Sequence, residues 1–319
     1  EKDKRIILIN NGIHPGEPCG VDGSILFAEK ILTDRSYKKY LKDIVICIIP
    51  IYNIGGWLNR SKYFRPQQPG PIECGSRGNA RNLDLNRDFI KADTKNAKAI
   101  TEIFHEWNPD IFLDTHTTNG SDHAYAITLL SNHKYQYDAN LGEYAKSVIE
   151  TSLYTKMKQT EYELIPYINW VHTDPEKGIY EWYNNGNFSL GFGSLFNTIS
   201  YITENHVYKP FWDRVESVYH FELCLLKTVY EQKNEIKEQR QEAIKETINK
   251  KRFVLTFKLD STKYDSFEFS GYRYIPRKNP VTGLKWKEYD HDSPYTKMIP
   301  YYRYYHNDII IEKAEYYII

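Results

Sequence analysis

Short apolar runs alternate with amphipathic stretches along the first two-thirds of the chain. Residues 5–9 (Arg-Ile-Ile-Leu-Ile) are nearly continuous in apolar character and close on Asn10, Asn11 and Gly12, the pattern of a strand covered on both faces before a turn. From about 18 to 34, Val21, Ile25, Leu26, Ala28 and Leu32 recur at helical spacing, and residues 44–50 (Ile-Val-Ile-Cys-Ile-Ile-Pro) read as a second buried strand. Strand, helix and strand in that order predict a right-handed crossover.

Residues 51–83 carry Gly, Pro, Asn, Arg and Gln without sustained periodicity, and a loop of that length in a compact domain is expected to be functional. A helix is predicted over 93–107, bounded by Asn108 and Pro109, then strands over 111–114 and 125–130 and a helix over 140–154. Residues 155–198 read as mostly irregular, ahead of a strand at 199–203. Helix resumes after Pro210 to about 250, and its charged part, 231–251, is expected to be a solvated face. Beyond 252 the pattern changes to short aromatic and β-branched runs at 253–259, 267–274, 301–305 and 309–311, which predict a small β-rich C-terminal appendage. The alternation implies an α/β fold.

Composition narrows the function. Lys plus Arg and Asp plus Glu are each 42, so no global field recruits nucleic acid or an anionic membrane, and recognition must be local. Hydrophobic residues make up 41%, enough for a folded core, yet no run approaches the roughly 18 apolar residues of a membrane span. Cys19, Cys47, Cys74 and Cys224 lack the spacing of a thiolate metal site or a disulfide framework and read as structural thiols.

Candidate chemistry lies where buried strands give way to loops. His14 and Glu17 are three residues apart just after the first strand, and His116 ends a later one. Two imidazoles and a carboxylate suit a catalytic zinc site, which keeps a position open for water. Ligands in open α/β sheets gather at such strand ends. The segment from Ser76 to Phe89 (SRGNARNLDLNRDF) concentrates guanidinium and amide groups, as needed to hold a carboxylate or stabilise an oxyanion.

Taken together, Gly12-Ile13-His14-Pro15-Gly16-Glu17, Arg77-Gly78-Asn79, Asp84-Leu85-Asn86-Arg87-Asp88-Phe89, Asp114-Thr115-His116-Thr117 and Thr203-Glu204 resemble the motifs of the zinc carboxypeptidase family, the metallocarboxypeptidases of the funnelin type. The resemblance covers residues 5 to about 215. It implies a mixed, mostly parallel central sheet flanked by helices, in a zinc carboxypeptidase-like catalytic domain over 1–250, with the appendage over 251–319. It further implies one Zn²⁺ held by His14, Glu17 and His116, with Asp84 orienting an imidazole from behind. Asn86 and Arg87 would clamp the substrate carboxylate, Arg77 would polarise the scissile carbonyl, and Glu204 would be the general base for a zinc-activated water. His206 reads as structural. No counterpart is assigned for the family's substrate-covering tyrosine, although Tyr180 and Tyr183 lie at a suitable distance before Glu204, and a specificity pocket is expected between 186 and 197. Only thirteen residues precede His14, fewer than family members usually have, which suggests missing first strands or a fragment.

The implied partner is a peptide with a free C-terminal carboxylate, a cell-wall peptide among the candidates, with no nucleic acid and no membrane span. Family resemblance favours a periplasmic or secreted location. Two rival readings remain. One is a zinc-dependent deacylase of small N-acyl amino acids, similar to succinylglutamate desuccinylase or aspartoacylase in its Gly-x-His-x-x-Glu and Asp-Leu-Asn-Arg elements. The other is a catalytically inactive binding protein on the same scaffold. The aromatic cluster Tyr301, Tyr302, Tyr304 and Tyr305 reads as the core of a small sheet, with stacking on a ligand as the alternative.

Overall fold

A computed structural model describes residues 3–118, 120–170 and 174–315. Six strands form the central sheet: β1 (Arg5–Asn10), β2 (Ile44–Ile49), β3 (Ile111–Thr118), β4 (Ile127–Ser131), β5 (Leu164–Pro166) and β6 (Ile199–His206). Their spatial order is β2-β1-β3-β6-β4-β5, parallel throughout except where β4 runs against β6. The mixed, mostly parallel sheet implied by the resemblance is therefore present.

The period of two in the apolar runs explains why both faces are covered. Ile7 and Ile9 of β1 and Ile111 and Leu113 of β3 join one core cluster with Phe27, Ile31 and Phe221. Leu8 and Phe112, one residue out of phase, join the opposite cluster with Leu85, Phe89 and Phe104. Helices α1 (Cys19–Thr33) and α3 (Phe211–Glu231) pack on the first face, and α2 (Lys95–Trp107) packs on the second through Ile100 and Phe104. Helix α2 stops at Asn108, which takes the left-handed conformation (φ 43°) ahead of Pro109.

Several elements differ from the sequence reading. Strand β3 continues through Thr118, so His116 lies two residues inside its end. The long helix after Pro210 breaks at Gln232 into α3 and α4 (Lys233–Asn249). The charged stretch is not uniformly solvated: Ile236, Arg240 and Ala243 are buried, and Arg240 reaches Asp110 at 2.7 Å, which also takes Arg5 at 3.1 Å. Within 155–198, β5 adds an edge strand and Ser189–Leu195 forms a helix.

The C-terminal segment is built on a long hairpin, β7 (Asp265–Lys278) with β8 (Lys285–Tyr302). Its second arm carries many exposed charges, which hid its strand character. Residues 253–259 form two short strands with separate partners. The hairpin packs on the α/β unit through Phe269, Ile299 and Tyr301 against Tyr125, Ile165, Ile168 and Ile179. Tyr301 and Tyr305 are buried, so both serve as core. No helix among the described residues is long and apolar enough to cross a membrane.

One buried carboxyl ties stability to pH. Glu222 on α3 is 1% exposed. The Ser24 hydroxyl donates to its Oε1 at 2.5 Å, and its Oε2 has no partner. Burial pushes its pKa up from 4.5 to about 8, against the Ser24 hydrogen bond. The unfolded chain releases this proton near 4.5 and the folded chain near 8, so stability falls as pH rises through that window. Glu222→Gln should remove that fall. In denaturant unfolding, the variant's advantage over the parent should grow by about 3 kcal/mol between pH 5 and pH 8, and parallel pH profiles would contradict a neutral buried Glu222.

Candidate metal and substrate site

The C-terminal ends of β1, β3 and β6 lie side by side, and each delivers a functional group. The β1 chain leaves the sheet at Asn10 and turns, with the Glu17 N–H donating to the His14 carbonyl at 2.8 Å. Helix α1 begins just beyond, with Gly20 packed on β3. A Cβ at Gly20 would lie 2.0 Å from Thr115 Oγ1, so this contact requires glycine and lets Glu17 reach the neighbouring strand. There the Thr117 N–H donates to Glu17 Oε2 at 2.8 Å.

His14, Glu17 and His116 are all buried, and one ligand atom from each lies within 4.8 Å of the others. Both imidazoles turn Nδ1 towards Glu17, at 3.4 Å from Oε1 for His14 and 3.2 Å from Oε2 for His116. Both present Nε2 to a carboxylate, Asp84 Oδ1 at 3.0 Å and Asp114 Oδ2 at 2.9 Å. A carboxylate behind a ligating imidazole fixes its tautomer and raises its basicity. The donor set fits a divalent cation: two nitrogens and one carboxylate converge, each imidazole backed by an acid.

Electrostatics follow from this convergence. Burial alone would raise Glu17, but the charge of His14, hydrogen bonds with His116 and His14, and Arg65 hold it well below the ordinary carboxylate range. For His116, burial opposes the charged form, yet Asp114 and Glu17 overturn that and raise its pKa well above normal.

Asp84 joins three parts of the site. It sits at the start of a short 3₁₀ turn, Leu85–Arg87, where Oδ1 accepts from the Asn86 N–H at 3.0 Å as well as facing His14. Its Oδ2 accepts from Arg77 Nε at 3.0 Å. Arg77 is half-exposed, and its other arm lies 3.6 Å from Glu17. Asn86 is buried, and its Oδ1 accepts from the Ser189 N–H at 3.1 Å, which leaves the amide NH₂ for a ligand. The Arg87 guanidinium lies 4.4 Å over the Phe188 ring.

Glu204 stands opposite His116 across the parallel β3–β6 pair. Burial raises its pKa to about 7, with His116 pulling it down and Glu17 pushing it up. A carboxyl poised there exchanges a proton readily at neutral pH. A cavity of 340 Å³ is lined by His14, Glu17, His116, Glu204, Arg77, Asn86 and Arg87 together. Asp84 stays behind its wall.

The sequence reading missed three features. Asp114 enters the sequence reading only within the motif Asp114-Thr115-His116-Thr117; two residues apart on a strand, Asp114 and His116 share a face, and that spacing is the available signal. Arg65 donates to Glu17 Oε1 at 2.9 Å and to the Thr117 carbonyl at 3.0 Å, from a loop with no motif around it. Tyr167 and Trp182 line the cavity. Tyr180 and Tyr183 are not among its described lining residues, and the Tyr183 hydroxyl instead donates to the Leu255 carbonyl at 2.9 Å. Of residues 186–197, Phe188 reaches the cavity. His206 pairs with Asp122 at 2.8 Å outside the site.

Comparison with known proteins decides the family, because the family described as zinc carboxypeptidase matches residues 1–267. The chain belongs to the zinc carboxypeptidase family. Carboxypeptidase 2 of Trichophyton rubrum is 24% identical over 111 residues, 34% of this chain and 18% of that protein. Carboxypeptidase 2 of Trichophyton tonsurans is 25% identical over the same length and shares. The matched part is thus less than a fifth of these relatives' length. A metallo-carboxypeptidase from Pseudomonas aeruginosa, solved with (2-guanidinoethylmercapto)succinic acid, superposes with a TM-score of 0.53 at 15% identity, over 74% of this chain and 59% of that one. One from Burkholderia cenocepacia gives 0.52 at 14% identity, over 71% and 57%. At such identities these two establish the carboxypeptidase fold.

Zinc affinity tests the role of the acids behind the imidazoles. Asp114→Asn should weaken zinc binding about 10–100-fold, read by chelator competition on protein whose circular dichroism is unchanged. Parental affinity in that variant would remove Asp114 from the metal centre.

Proposed function

We propose that the chain is a zinc-dependent carboxypeptidase that hydrolyses the C-terminal amide bond of a peptide. The observation that carries this reading is the single cavity onto which the His14–Glu17–His116 triad, the Glu204 carboxyl and the Asn86–Arg87 pair all open. His14, Glu17 and His116 are the residues that would hold the ion, His14 and His116 each through Nδ1. Zinc, when bound, lowers the pKa of a water toward about 7 and polarises a carbonyl.

The remaining chemistry belongs to the chain. Arg87, stacked on Phe188, and the free amide of Asn86 take the terminal carboxylate, and a bidentate guanidinium contact fixes its orientation. That contact sets which bond is cut, since the scissile amide lies one residue in from the carboxylate. Glu204 takes a proton from the attacking water and returns it to the leaving amine. Its elevated pKa suits both transfers. Arg77, steadied by Asp84, donates to the developing oxyanion, a contribution typically worth 10²–10³ in rate.

Glu204→Gln should lower kcat by roughly 10²–10⁴-fold while one zinc per chain remains bound, measured with N-blocked peptides and metal analysis. Full activity in that variant would remove Glu204 from the reaction. A substrate panel separates the rival readings. Carboxypeptidase action releases a terminal amino acid from blocked peptides or from cell-wall peptides. Cleavage of N-acyl amino acids alone would make the protein a deacylase, and no cleavage of any of them by zinc-loaded protein would make it an inactive binding scaffold.

A further inference from the structure

Beyond the metal, one wall of the cavity is a row of rings. Phe188, under the Arg87 guanidinium, meets Trp182 edge-on at 6.0 Å between centroids, and Trp182 meets Tyr167 at 6.4 Å. Behind Tyr167 lies the apolar cluster Leu130, Leu190 and Ile202. Among the described residues the carboxylates lining the cavity are Glu17 and Glu204, both at the metal end. A side chain on the carbon next to an Arg87-held carboxylate therefore faces rings and aliphatic groups with the neutral amides of Asn169 and Asn184 among them, and among the described residues no carboxylate there pairs with an ammonium or guanidinium group.

The residue before Trp182 is held from several sides. Glu181 is 6% exposed, and its carboxylate pairs with the buried Lys146, which also holds Glu150 at 2.9 Å and donates to Ser131 Oγ at 2.7 Å. The Tyr301 hydroxyl lies 3.4 Å from the same carboxylate, and the Tyr305 hydroxyl donates to the Glu181 carbonyl. The Glu181 N–H donates to the Tyr302 carbonyl at 2.9 Å, and Ile179–Tyr180 pairs in parallel with Tyr301 and Tyr302 at the end of β8. Helix and hairpin thus grip the residue next to Trp182 from two sides. The family match ends at 267, so β8 lies outside the matched residues. Trp182 itself is 37% exposed, open to a ligand.

We propose that Trp182 selects the terminal side chain, favouring peptides that end in a large apolar or aromatic residue, and that Glu181 is the positioning residue that holds it. The assignment of a peptide substrate rests on the carboxypeptidase reading; the choice of side chain rests on the wall itself. The C-terminal hairpin is then part of the specificity apparatus.

The test uses the full chain in two forms. On metal-free protein, calorimetry compares 3-phenylpropanoate with propanoate, two carboxylates that differ in the ring. The aryl acid should bind at least about tenfold tighter. Trp182→Ala should bring that ratio close to one, Trp182→Phe should restore most of it, and Glu181→Gln should lower it threefold or more. Tyr301→Phe, which removes one donor to Glu181 and little volume, replaces Glu181→Gln should that variant not fold. On zinc-loaded protein, blocked dipeptides ending in Phe or Leu should be cut with higher kcat/KM than those ending in Lys or Glu, and Trp182→Ala should erode the preference mainly through KM. An aryl preference that survives Trp182→Ala, or a preference for Lys or Glu, overturns the proposal. Loss of all peptide cleavage with the aryl preference intact would sink the carboxypeptidase reading and leave the wall assignment standing.

Discussion

The hydrogen bond from the Thr117 N–H to Glu17 Oε2, 2.8 Å long, is the contact on which the site depends. It ties the turn after the first strand to the third strand and so brings His14 and Glu17 beside His116. That contact is available because Gly20 lets helix α1 lie directly on Thr115. The rest of the site radiates from it. Arg65 and Arg77 approach the other Glu17 oxygen, and each imidazole is held from behind by an aspartate.

Burying so many charges is costly unless each is paired. Here the pairing is complete enough to hold Glu17 ionised, and a divalent cation would add a further positive charge where the acids outnumber the imidazoles. Asp84 links this centre to the Asn86–Arg87 pair, because one carboxylate faces His14, anchors Arg77 and starts the turn that carries Asn86 and Arg87. The candidate metal ligands and the proposed carboxylate clamp therefore share one anchoring side chain, as suits a site that must hold reacting groups in fixed geometry.

Much of this was legible along the chain. The strands at Arg5–Asn10 and Ile44–Ile49 announced themselves as continuous apolar runs, and the triad was marked by histidines and a glutamate at strand ends. The Ser76–Phe89 segment advertised its guanidinium groups by density alone. What escaped detection escaped for physical reasons. Arg65 acts from an irregular loop, where no period reports direction. The second hairpin arm, Lys285–Tyr302, is too exposed and too charged to show strand alternation, and its pairing with Ile179–Tyr180 joins segments more than a hundred residues apart. Glu181, next to Trp182, is held by Lys146, Tyr301 and Tyr305, partners that local sequence does not reveal.

The most direct measurement is crystallography of the zinc-loaded protein with anomalous diffraction at the zinc edge. The account predicts one ion about 2.0–2.1 Å from an imidazole nitrogen of His14 and of His116 and about 2.0–2.2 Å from a Glu17 oxygen, with a coordination position facing Glu204. An ion bound elsewhere, or ligated without His14, Glu17 and His116, would contradict it.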